Sequence, residues 1–181
     1  MQRLVAVIFV MIFVPFSNSH SFENDSRKEC KITENVNRAL EHICPHAKVL
    51  TKSALNADMR KYLDKSKVQY TTVIRGDFNG DKLLDWAMLV ECSNKTDIRV
   101  ERLIVMLQKA DKDYVAYILE EFSRISDDIY LCSISPSTIQ EWDTSKSVNL
   151  KYQSIERVFD EKSAGIYYWK KDKFEYIQTS D

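Results

Sequence analysis

From Val68 onward the chain is a succession of short runs rich in β-branched and aromatic residues, and this constrains the fold more than any other feature. "VQYTTVIRG" alternates in polarity, "DWAMLVEC" and "RLIVMLQ" are apolar, and "YVAYIL", "DIYLCSI", "VNLKYQSI", "AGIYYWK" and "FEYIQT" follow. Runs of this length and composition, bounded by polar residues, predict strands. The polar turns "ADKD" (Ala110–Asp113) and "KKDK" (Lys170–Lys173) predict hairpins. No period of about 20–50 residues repeats, so the chain does not read as a solenoid or propeller.

Upstream the periodicity is helical. "ITENVNRALEHIC" places Ile32, Val36, Leu40 and Ile43 at helical spacing, with Thr33 as N-cap. Pro45 ends that helix, because it has no N–H and biases Cys44 away from helical angles. "NADMRKYLDKS" predicts a second helix carrying Met59, Tyr62 and Leu63, with Asn56 as its cap. Helices first and strands afterwards predict an α+β fold, with the N-terminal helices packed on an antiparallel β-sheet built of hairpins.

Arg3 followed by the apolar run Leu4–Val14 and the polar "SNSHS" reads as a signal peptide over residues 1–21. The run is shorter than the roughly 20 residues that cross a bilayer, and no later stretch is long enough. A single domain over residues 22–181 is therefore expected in the periplasm or secreted, with no stable membrane insertion. Removing the leader leaves 25 of the 26 Lys and Arg against 27 acidic residues, a net charge near −2. Such a balance argues against a nucleic-acid partner, which calls for a basic face.

Cys30, Cys44, Cys92 and Cys132 all lie beyond the leader. An even count in an exported chain predicts disulfides, with three ways of pairing them. Cys30 and Cys44 fall in the helical part and Cys92 and Cys132 at strand ends. The favoured pairing is accordingly Cys30–Cys44 with Cys92–Cys132.

Between two predicted strands lies "RGDFNGDKLLDWAMLV". Counted from Asp77, positions 1, 3, 5 and 9 are Asp77, Asn79, Asp81 and Asp85, and position 7 is Leu83. Ca²⁺ takes six to eight oxygens, and tight loops supply them from alternate side chains and from the position-7 carbonyl. The spacing predicts one structural, weakly held Ca²⁺ on Asp77, Asn79, Asp81, the Leu83 carbonyl and Asp85. An acidic turn whose carboxylates cap backbone amides is the alternative. The stretch resembles the aspartate-rich calcium loop of FG-GAP and VCBS-type repeats, G-D-x-N-G-D-G-x-x-D-x-A, and of small exported bacterial proteins carrying one such loop. Gly76, Asp77, Asn79, Gly80, Asp81, Asp85 and Ala87 match that pattern, and Lys82 replaces its glycine. The likeness spans fifteen residues in one copy, so it implies a loop and not a propeller. "SAGIYYWKKDKFEYIQTSD" is similar to the closing hairpin of the same single-loop proteins.

Other candidates are weaker. Arg75–Asp77 spells "RGD", but Asp77 already has a role in the loop. His42, Cys44 and His46 in "HICPH" invite zinc, yet Pro45 breaks their geometry and a fourth ligand is lacking. Asn94–Thr96 fits a glycosylation sequon. There is no G-x-S-x-G motif, and histidine, the commonest general base, is scarce, so no catalytic residue is assigned. The aromatic run "YYWKKDKFEY" reads as alternating inward and outward residues of a hairpin, or as a sugar- or protein-binding face. The expected function is a binding or inhibitor-type interaction protein whose partner is another protein or an envelope glycan. The alternative is a carboxylate-dependent hydrolase acting on an envelope polymer, which needs two acids across a cleft.

Overall fold

A computed structural model describes residues 32–66, 71–93, 99–122, 127–144, 146–159 and 162–181. The expected leader, Cys30 and the Asn94–Thr96 sequon lie outside the described residues. In chain order the elements are α1 (Glu34–Ile43), β1 (Lys48–Val49), a 3-10 turn (Lys52–Ala54), α2 (Ala57–Ser66), β2 (Val73–Gly76), β3 (Asp85–Ser93) and β4 (Arg99–Gln108). There follow β5 (Tyr114–Phe122), β6 (Ile129–Ile134), β7 (Ser137–Gln140), β8 (Ser147–Leu150), β9 (Ser154–Phe159), β10 (Ser163–Lys170) and β11 (Lys173–Ser180).

All strand pairs are antiparallel and form two main sheets. In the first, β3, β4 and β5 run side by side, and β1 and β2 both pair with β3. The second has the order β11-β10-β9-β6, and β7 and β8 form a separate hairpin. The two sheets stack, and one apolar cluster fills the space between them. Ala87, Leu89, Leu103, Val105 and Leu107 come from the first sheet, and Ile129, Leu131, Ile155 and Tyr167 from the second. Thr71 closes one side by exchanging backbone hydrogen bonds with Leu131, at 3.1 and 2.7 Å.

The outer faces are also covered. Trp86, Met88, Val90, Ile104 and Met106 pack against Val36 and Leu40 of α1. On the far side of the second sheet, Tyr130 and Cys132 meet Met59 and Leu63 of α2, and Ile166, Tyr168 and Ile177 lie under Val148 and Leu150 of β8. Asp85 through Val90 are all buried, which is why that stretch reads as continuously apolar instead of alternating. Each large side chain so covered contributes roughly 1.5–3 kcal/mol.

This architecture corrects the expected α+β class. The chain is mostly antiparallel β, with 53% of the described residues in strand and 17% in helix. The two α-helices, ten residues each, sit on different clusters, so they make no helical layer. The physical reason is that β3 and β4 are apolar on both faces. One short helix covers one face, and only a second sheet has the area to cover the other. The helix caps match expectation: Thr33 accepts the Val36 N–H at 3.5 Å and Asn56 accepts the Met59 N–H at 2.8 Å.

The expected pairing, Cys30–Cys44 with Cys92–Cys132, is also corrected, in both of its bonds. Cys92 bonds Cys44, with the Cα atoms 5.4 Å apart. Cys92 points from β3 toward α1, whereas Cys132 points from β6 toward α2, so the whole sandwich separates them. Among the described residues, no helix is long and apolar enough to cross a membrane.

Candidate functional site

The β2–β3 loop, the β4–β5 turn, the segment between β8 and β9 and the β10–β11 turn meet at one pole of the sandwich. Asp85 is the floor of this pole. It is fully buried, one oxygen accepting the Phe78 N–H and the other the Gln108 N–H, each at 2.9 Å. Burial raises its pKa to about 6, with the negative charges of Asp81 and Asp77 adding to the rise, while the two amide bonds oppose it.

Above this floor the loop is tied by its own side chains. Asp77 accepts the N–H groups of Gly80 (2.7 Å) and Lys82 (3.0 Å), Asn79 accepts that of Asp81 (3.1 Å), and Asp81 accepts that of Leu83 (2.8 Å). Asn79 also donates to the second Asp81 oxygen at 2.9 Å. Gly80 has φ +84° and a Cβ there would collide with the Tyr152 ring, so glycine is required twice over. Lys82 adopts φ 68°, a left-handed conformation that favours glycine. Gln153 accepts the Asp77 N–H at 3.2 Å and so fastens the loop to the second sheet.

The expected calcium ligands Asp77, Asn79, Asp81 and Asp85 are thus brought into one loop, where their oxygens hold backbone amides. Among the described residues, no three acidic, histidine or cysteine side chains gather where a cation would sit. Asp77, Asn79 and Asp81 fit a cation in chemistry, since an oxygen holding one amide N–H keeps a second lone pair. Asp85, the expected ninth-position ligand, gives both oxygens to core amides. The "HICPH" group does not assemble as a metal site, because Cys44 is in the disulfide and His46 turns outward beside Glu41.

Two concavities flank the loop, and Asn79 and Trp169 line both. The first is walled by Leu83, Leu107, Val115, Tyr117 and Trp169, with Asp81 as its one carboxylate. The second is walled by Asn149, Lys151, Tyr152, Trp169 and Lys171, with Asp172 as its one carboxylate. Neither has the pair of acids that the hydrolase alternative requires. Trp169 stands edge-on to Phe174 (5.0 Å between ring centres) and to Tyr117 (5.8 Å), joining the ends of both sheets in one half-buried aromatic group.

The run "YYWKKDKFEY" forms the β10–β11 hairpin, with residues alternating between its two faces. Tyr167 and Tyr168 are buried on opposite faces of β10, whereas Trp169, packed edge-on against Phe174, lines both concavities. Lys171 and Asp172, at φ 50° and 62°, make the two-residue turn between them. Tyr117, Lys151, Tyr152 and Gln153 were not legible as site residues. The arrangement offers aromatic surface, amides and cationic tips, which suit binding more than bond-making. Comparison with protein-family models, curated proteins and solved structures found no match to this chain.

Proposed function

We propose that the protein is an exported binding module, periplasmic or secreted, that holds a protein or an envelope glycan at the loop pole. The observation that carries this reading is the half-buried Tyr117–Trp169–Phe174 group set between two concavities. Rigid aromatic side chains bind with little loss of conformational entropy, and they concentrate at recognition surfaces. The Cys44–Cys92 disulfide supports an oxidising compartment. The loop is read as an FG-GAP/VCBS-type calcium staple, on the strength of its spacing and of the left-handed backbone at Lys82. Asp77, Asn79 and Asp81 would hold the ion with the Leu83 carbonyl, and Asp85 would anchor the loop from beneath.

The reading is tested with wild type and Trp169→Ala matched for secondary structure and melting temperature. Each is immobilised, exposed to envelope extract, and compared for partners retained after washing. Partners kept by wild type and lost by the variant support the pole as the binding surface. Equal recovery by both moves the function elsewhere on the molecule.

A further inference from the structure

We propose that the second concavity recognises an anionic saccharide, a sugar chain carrying carboxylate or similar acidic groups. This rests on the binding reading above and names the class of ligand for the same pole.

The lining of the concavity carries more cations than anions. Lys151, Lys170 and Lys171 face a single carboxylate, Asp172. Lys170 is partly matched, since its Nζ lies 2.9 Å from Glu175. Lys151 and Lys171 then leave the surface with a positive excess. Lys151 is also placed: its ammonium lies over the Tyr152 ring, 4.9 Å from the centre, an attractive arrangement that narrows where the cation points. Tyr152 is itself wedged against Gly80, so the calcium-type loop and the cation share one support.

The neutral groups are those that sugars use. Asn149 offers an amide with one acceptor and two donor hydrogens, matched to adjacent hydroxyls, and Asn79, already tied to Asp81 through both amide atoms, keeps one donor hydrogen. Trp169 and Tyr152 supply apolar ring surface for the C–H face of a pyranose. An acidic peptide would answer the lysines equally well. It has less use for an exposed amide beside aromatic rings, so the saccharide is favoured.

The experiment uses the disulfide-intact protein and three probes: a galacturonate oligomer, the same oligomer with its carboxyls reduced to alcohols, and a Glu-rich peptide. Binding is followed by calorimetry, with amide chemical shifts locating it. The expected result is that the acidic oligomer binds at Lys151–Gln153 and Lys170–Asp172. The carboxyl-reduced form should bind at least tenfold more weakly. Added salt should weaken the first and leave the second unchanged. Lys151→Gln with Lys171→Gln should reduce acidic-oligomer binding to the level of the neutral one.

Equal binding of both oligomers overturns the anionic inference and leaves the glycan reading standing. Binding of the peptide alone overturns the saccharide and leaves a protein partner. If none of the three binds, the inference fails, and the Trp169→Ala comparison decides the underlying reading separately.

Discussion

The Arg157 guanidinium lies 3.2 Å from the Glu120 carboxylate, and this pair spans the space between the two sheets. Arg157 is on β9 and Glu120 on β5, so the contact is the polar counterpart of the apolar seam beside it. Tyr167 donates its hydroxyl to the same Glu120 oxygen at 2.7 Å, and Arg157 donates to the Tyr176 hydroxyl at 3.0 Å. Burial and the Glu120 contact push the Tyr167 hydroxyl pKa well up. Removing one member of such a group leaves the others without compensation. Arg157→Ala should therefore cost about 2–4 kcal/mol in urea unfolding. Glu120→Gln keeps an acceptor for Tyr167 and should cost about 1 kcal/mol. A loss below half a kilocalorie for Arg157→Ala would mean that the sheets are held by the apolar seam alone.

The disulfide makes a second prediction. Cys44 and Cys92 enclose 48 residues of sequence separation, including α2 and β2. On the chain-entropy model, removing the bond costs about 3–4 kcal/mol. Cys44→Ser/Cys92→Ser should melt well below wild type, and non-reducing peptide mapping should recover the Cys44–Cys92 peptide pair. Recovery of Cys92 joined to Cys132 would contradict the placement of those residues on opposite sides of the sandwich.

How much was legible in advance follows from the range of each signal. Thr33, Asn56 and the Lys170–Lys173 turn act within a few residues, and they fall where their local chemistry placed them. The stretch "VNLKYQSI" was expected as one strand, but it breaks at Lys151–Gln153 into β8 and β9. That break is made by Tyr152 meeting Gly80 and Gln153 meeting Asp77, contacts more than 70 residues apart in sequence. The second sheet was illegible for a related reason. Alternation shows that a strand has a buried face, but not whether a helix or another sheet buries it. Strand β7, "STIQ", is polar enough that nothing marked it as a strand.

A third prediction concerns pH. Glu156 sits opposite Cys132 in the β6–β9 register, and burial raises its carboxyl pKa above the ordinary 4.5. The folded protein then holds this proton where the unfolded chain has released it. The contribution is fully present below about pH 4.5, and it is lost as pH rises through the raised value. Glu156→Gln removes this titration. Its stability relative to wild type should improve steadily from acid to neutral pH, by denaturant midpoints at each pH. A difference that is constant with pH would show that Glu156 titrates alike in both states.

In the β2–β3 loop, two backbone positions separate the framework from the proposed ion. Gly80→Ala places a Cβ in a left-handed residue and against the Tyr152 ring, so it should cost at least about 2 kcal/mol with or without metal. Lys82→Gly does the reverse. It relieves the left-handed strain at φ 68° and should stabilise the protein by about 0.5–1 kcal/mol in chelator. Calcium affinity of the wild type is expected at about 10⁻⁴–10⁻³ M, as in extracellular modules. A few millimolar Ca²⁺ would then add at most about 1–2 kcal/mol, a shift of a few degrees in melting temperature. Lys82→Gly should widen the gap between calcium and chelator curves, because it removes a positive charge beside Asp81. Asp81→Ala should close the gap while leaving Asp85 on the Phe78 and Gln108 amides. If wild type and Lys82→Gly both melt alike with calcium and with chelator, the loop is held by its own amide hydrogen bonds and the ion has no part in it.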